Sequence, residues 1–179
     1  MFELSTEIER CIVRGTGSGQ PLGLVNSPAK ITVSKTVGQT AATISAANIR
    51  AMFARLWGPC WNRAVWLCNE STADQLLSMA GTLVTFDREG ILLAGRPVLA
   101  CEHCSALGTE GDLILTDLGE FIFVDRAVGA WSAHVRFLNY ESAFRLTARV
   151  DGRSLWASAL TPANGSGTLS SIITLETRS

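Results

Sequence analysis

Residues 64–69 place the tightest constraint on the fold. Val65, Trp66 and Leu67 are apolar and consecutive. A short continuous apolar run of this kind reads as a strand buried in a core, since a half-exposed strand alternates. Helical patterns flank it. Upstream, Ile49, Met52, Phe53, Leu56 and Trp57 fall at i, i+3, i+4, i+7 and i+8, with Arg50 and Arg55 on the other side. Ser45 is a good N-cap, Ile44 can staple onto Ile49, and Gly58-Pro59 ends the pattern, so a helix is predicted over 46–57. Downstream, residues 72–80 read as a second helix capped by Ser71 or Thr72. Helix, strand, helix in that order is an α/β pattern.

Short strands follow Gly81. Residues 83–86 and 91–93 flank the hairpin loop Asp87-Arg88-Glu89-Gly90, and 97–101, 112–116 and 120–125 are further strands. Phe144, Leu146, Ala148 and Val150 alternate with Arg145, Thr147 and Arg149, which predicts a strand ending in an Asp151-Gly152 turn and resuming at 154–157. Residues 171–175 read as a closing strand. At the other end, Leu4, Ile8, Cys11 and Ile12 share one face of a helix over 3–14. Gly15, Gly17 and Gly19 then break it, and Pro21 prevents its resumption.

The chain has 179 residues, enough for one sizeable core. Only 17% are charged against 47% hydrophobic, which excludes a disordered tail. The net charge of -1 supplies no global field for nucleic acid or anionic lipid. Lys30 and Lys35 are the only lysines beside 13 arginines, a bias that suits surface covered by other chains. The acidic start lacks the basic region of a secretory signal, and no apolar run reaches the 18 or more residues of a membrane span. The chain reads as soluble and cytosolic at synthesis, with five reduced thiols.

No catalytic set emerges. Cys101-Glu102-His103-Cys104 is the most metal-like cluster, but a structural zinc site needs four ligands, and Cys60, Cys68 and His134 would have to converge from separate elements. The alternative reading of small residues at a strand end is favoured. Gly15–Gly19 lacks the preceding strand and following lysine of a phosphate loop. Asp112, Asp117 and Asp125 sit at expected strand ends, where aspartate bonds nearby backbone. Arg136, Arg145, Arg149 and Arg153 could touch nucleic acid, but salt bridges to a neighbouring strand or subunit are the commoner use of such a series.

Several stretches, in order, resemble the C-terminal portion of tailed-bacteriophage major capsid proteins of the HK97 fold. They are the segment 15–24, the helix Asn48–Trp57, the strand and helix 64–79, Gly95-Arg96-Pro97-Val98, the run 111–118 leading to Phe121–Arg126, His134-Val135-Arg136-Phe137, and 144–152. The resemblance implies a mixed α/β (α+β) HK97-like fold in three parts. Residues 1–28 would be the end of the spine helix with its Gly-rich connector, 29–130 an axial-type α/β domain, and 131–179 peripheral-type strands with the closing strand. The N-terminal arm, the extended loop and most of the spine helix would be missing ahead of residue 15, and with them any cross-linking lysine.

The implied function is a structural subunit, or truncated remnant, of a phage or prophage capsid. It would work by self-assembly into capsomers, in the virion and, before assembly, in the bacterial cytoplasm. The implied partners are other copies of the chain and other capsid proteins. No specific nucleic acid, membrane, small-molecule substrate, cofactor or metal is expected, and no catalytic residue. The alternative function is a small zinc- or thiol-dependent enzyme using Cys101, His103 and Cys104.

Overall fold

The computed structural model describes residues 2–88 and 90–178, so Met1 and Glu89 of the expected hairpin loop lie outside the described residues. Among the described residues three α-helices, α1 (Phe2–Arg14), α2 (Ala46–Ala54) and α3 (Ala73–Leu77), accompany nine strands. These are β1 (Ile31–Val33), β2 (Val65–Cys68), β3 (Val84–Asp87), β4 (Gly90–Leu93), β5 (Arg96–Ala100), β6 (Leu113–Thr116), β7 (Phe121–Arg136), β8 (Glu141–Ser154) and β9 (Ile172–Leu175). Seven strands form one mixed sheet in the order β1-β9-β6-β2-β5-β4-β3, and β7 and β8 form a separate two-stranded sheet. The pairs β1/β9 and β2/β5 are parallel, and the other pairs of the large sheet are antiparallel. Among the described residues no helix is long and apolar enough to cross a membrane.

The apolar run of β2 is buried as expected. Trp66 and Cys68 point to one side of the sheet with Leu113, Leu115, Ile173 and Leu175, where Ile49 and Met52 of α2 and Leu76 of α3 cover them. Leu67 points to the other side with Ile114 and Ile172, against Val13 and Leu24. The Trp66 indole donates to the Leu93 carbonyl at 2.9 Å, so its one polar atom is satisfied inside the core.

Local chemistry sets several boundaries. Ser45 caps α2 in a full capping box, its Oγ accepting from the Asn48 N–H while Asn48 Oδ1 accepts from the Ser45 N–H at 2.9 Å. The helix stops at Ala54 instead of Trp57 because the chain turns to pair with residue 170: Ser170 N–H donates to the Arg55 carbonyl, and Trp57 N–H to the Ser170 carbonyl. α3 is shorter than 72–80. Neither expected side chain caps it; instead Asn69 accepts from Ser71 N–H and caps the 3-10 turn Glu70–Thr72 just ahead of it.

The largest difference is at Asp151-Gly152. These residues do not turn, and β8 runs through them to Ser154, paired with Val124 and Phe123 of β7. Gly152 serves close approach: a Cβ there would lie 2.9 Å from the Ile122 carbonyl oxygen and 2.9 Å from the Phe121 ring. The real turn is Phe137–Asn139 with Tyr140 at φ 55°. Strand 120–125 therefore extends to Arg136, Asp125 lies inside a strand, and 155–157 is not a strand. Residue 130 falls within β7, and β9 sits in the large sheet between β1 and β6.

One buried ion pair ties the C-terminal segment to the sheet. The Arg178 and Asp112 side chains are both fully buried and hydrogen-bonded to each other. Arg178 also donates to the carbonyls of Thr43 at 2.7 Å and Glu176 at 2.9 Å, and Asp112 accepts from Gly108 N–H at 2.8 Å. Removing one partner leaves a buried charge uncompensated, which costs about 3–5 kcal/mol. Asp112→Ala is therefore expected to lower the unfolding free energy by about that amount, read as the urea midpoint at unchanged m-value. The double variant Asp112→Ala/Arg178→Met is expected to recover part of the loss.

Candidate assembly surface

The β7–β8 hairpin carries most of the apolar surface that the chain leaves uncovered. Strands of 16 and 14 residues pair only with each other. An isolated two-stranded ribbon is marginal in water, and its free edges offer unpaired backbone groups. Its base is fixed, because Leu22 N–H donates to the Gly152 carbonyl at 2.7 Å and Leu155 N–H to the Glu120 carbonyl at 2.9 Å.

Directly opposed residues share a face, which gives the ribbon two distinct sides. On one side, Ala148 and Val150 line a groove with Leu4, Ile8 and Cys11 of α1, the helix face anticipated from periodicity. Farther out on that side Trp131 stands opposite Phe144, beyond the reach of α1. These rings are 74% and 73% exposed, although an aromatic pair usually carries core or interface packing. Val135, Leu138 and Tyr140 extend the exposed apolar surface to the tip.

The other side is cationic. Arg126, Arg145 and Arg149 line a groove with Val128, Ala130 and Thr147. Arg126 lies directly opposite Arg149, a like-charge pairing that costs stability. Among the described residues no salt bridge engages Arg126, Arg145, Arg149 or Arg153; Arg136 pairs with Glu141 at 2.9 Å near the tip.

The chemistry-bearing residues do not assemble a catalytic centre. Cys101 and Cys104 flank a turn directly after β5, the position favoured from sequence, and the Cys104 N–H donates to the Cys101 carbonyl at 3.1 Å. Cys68 adjoins them across β2, but His134 lies far along the exposed hairpin. Among the described residues no three potential ligand atoms of this cluster gather as a metal site would require. Such a gathering occurs elsewhere, at Cys60, Asp117 and Glu120, and periodicity gave no sign of it. It is filled by Arg63, whose guanidinium bonds Asp117 at 2.8 Å and Glu120 at 2.9 Å, while Trp156 Nε1 donates to Glu120 at 3.0 Å. Burial and Asp117 push the Cys60 thiol up to about 12, which keeps it protonated and poor as a ligand.

Asp117 also accepts from Gly119 N–H at 2.9 Å, the turn role expected for it, while Asp112 serves the pair with Arg178. Gly17 and Gly19 adopt φ of 79° and 67°, and Gly15 packs so closely that a Cβ would fall 2.0 Å from the Pro21 carbonyl oxygen.

The ribbon thus leaves an aromatic pair uncovered beside a mixed sheet. The phage capsid family matches residues 2–165. The chain belongs to that family. Among solved structures, the capsid of an empty GTA particle matches with a TM-score of 0.67 at 15% identity, over 99% of this chain and 63% of that one. The capsid of the native GTA particle matches with a TM-score of 0.68, at the same 15% identity and over the same shares of 99% and 63%. This capsid-family chain thus shares its fold with those proteins and spans 63% of their length. No curated protein matches it. The mixed α/β class read from sequence agrees with this fold.

In this capsid-family chain the two thiols of the turn after β5 ionise very differently. The hydrogen bond from the Cys104 thiol, helped by the backbone N–H groups of His103 and Cys104, outweighs burial and lowers Cys101 to about 6. The same bond, together with burial, pushes Cys104 far up. Of the two, the half-buried Cys101 is therefore the thiol that ionises first as pH rises. Alkylation of Cys101 by iodoacetamide, followed by peptide mapping, is expected to reach half its plateau rate at a pH of about 6. An ordinary thiol does so near about 8.5.

Proposed function

We propose that the chain is a structural subunit of a phage-type capsid shell and acts by self-association, not catalysis. The observation that carries this reading is the exposed Trp131–Phe144 face on a ribbon with free edges. Membership of the phage capsid family and the likeness to two capsid chains support it. Its partners would be further copies of itself and other capsid proteins, meeting through heterologous contacts that close into rings. Its place would be the phage particle, and the host cytoplasm before assembly.

In the HK97-like arrangement that the sequence resembles, the large sheet with α2 and α3 would form the axial-type unit, within the expected 29–130 but ending before β7 begins at Phe121. Strand β9 would be added to it from the C-terminal segment. The hairpin, with α1 against its base, would form the peripheral-type unit. The low lysine content fits such use, since interfaces favour arginine over lysine. The zinc form of the enzyme alternative has little support, because among the described residues no three ligand atoms of the Cys101–Cys104 cluster gather.

Light scattering across a concentration series tests the proposal. The wild-type chain is expected to shift from monomer to larger species as concentration rises. Trp131→Arg/Phe144→Arg is expected to raise the midpoint of that shift about tenfold or more, since buried aromatic anchors dominate interface energy. Its thermal midpoint should stay close to wild type, because both rings are already exposed. A wild-type chain that remains monomeric throughout would sink the proposal.

A further inference from the structure

The turn at residues 101–104 holds a pair of thiols that a capsid role leaves unexplained. It leaves the end of β5 and is closed by the Cys104 N–H bond to the Cys101 carbonyl at 3.1 Å. A four-residue turn brings its end Cα atoms within about 7 Å. A disulfide spans about 4.4–6.8 Å between Cα atoms, so the backbone already satisfies most of its geometry. The two side chains lie close enough that each thiol is the largest single influence on the ionisation of the other.

The surroundings fix this pair in place. Cys101 N–H donates to the Cys68 carbonyl at 2.8 Å, and Asn69 Nδ2 donates to the Cys104 carbonyl at 3.0 Å, so both ends are moored to β2 and its exit. Arg14, at the end of α1, donates to the His103 carbonyl at 2.6 Å and to Ser105 Oγ at 2.7 Å. The turn is thus the point where the first helix is hooked onto the large sheet. Cys101 is half-buried, whereas Cys104 is buried. That is the arrangement of an attacking and a resolving sulfur.

We propose that Cys101 and Cys104 form a reversible redox pair, oxidised to an intrachain disulfide by small-molecule disulfides of the glutathione class. The Cys101 thiolate attacks one sulfur of the external disulfide, breaking its S–S bond and releasing one thiolate. The Cys104 thiol then loses its proton to solvent, and its sulfur attacks Cys101 in the mixed disulfide, expelling the second thiolate. Two protein thiols lose two electrons in all. The external disulfide gains them and leaves as two thiols, which take up the two protons. The product stiffens the turn that anchors Arg14, so the hold of α1 on the sheet becomes sensitive to redox state.

The test uses the intact chain, reduced and freed of reductant, then exposed to glutathione disulfide at neutral pH. Two of the five free cysteines are expected to disappear from a thiol titration. Peptide mapping after blocking the remainder is expected to find Cys101 joined to Cys104 with no glutathione retained. Cys104→Ser is expected to stop at one glutathione on Cys101, and dithiothreitol to restore all thiols in both proteins. A bridge that includes Cys68, a stable glutathione adduct on the wild-type chain, or five thiols left unreacted would each overturn the assignment. The wild-type mapping needs no variant to fold and no shell to form, so its outcome is separate from that of the capsid reading.

Discussion

Burial of the central strands on both faces is the constraint on which the rest of the structure depends. β2, β6 and β9 are apolar at nearly every position, so neither face of the sheet can be left to water. Helices α2 and α3 cover one face. The other receives Val13 from the last turn of α1 and Leu24 from the segment after it. To deliver both, the chain must double back tightly between residues 15 and 23. Gly23 N–H donates to the Gly15 carbonyl at 2.9 Å there, with backbones too close for side chains at either glycine. The glycine-rich connector is therefore a packing device for the second cover.

How much of this was legible depended on whether the cause was local. Ser45 and Asn48 cap a helix with atoms three residues apart, and the Ser45 half of that cap was readable. The strands at 65–68, 113–116 and 172–175 were readable from their density of apolar residues. Asp151-Gly152 misled because the dipeptide fits two uses, a turn and a close approach, and only the partner strand selects between them. The outer part of β7 was invisible because Ala127, Gly129 and Ala130 give no strong alternation, so its pairing with β8 determines it. Arg63 lies 54 residues from Asp117, and no spacing rule links them. For the surface, the alternation of 144–150 announced a two-faced strand. Which face would stay uncovered depended on how far α1 reaches along it, which is a tertiary fact.

The hairpin joins two kinds of surface on one thin element. Its aromatic side loses water-exposed apolar area when covered, a gain that scales with area and carries little direction. Its arginine side supplies direction instead, since opposed like charges such as Arg126 and Arg149 favour a neighbour that brings acidic groups. A two-stranded ribbon has no interior of its own. Both sides are available at once, and contact on one face leaves the other free for a different neighbour.

The pairing of β7 with β8 also governs which length changes the chain can absorb. Register is continuous from Phe121–Ser154 out to Ser132–Ala143, and its single irregularity lies between Ser132 and Arg136, next to the tip. Side chains alternate faces with a period of two, so one residue gained or lost in either strand near the base would move the rest of that strand's side chains to the other face and break their match with the partner strand. Trp131 and Phe144, which lie on different strands, would then no longer share a face. A residue gained at the tip changes only the loop. Drift in the length of this segment is therefore tolerated at its far end and forbidden at its root, unless it comes in pairs.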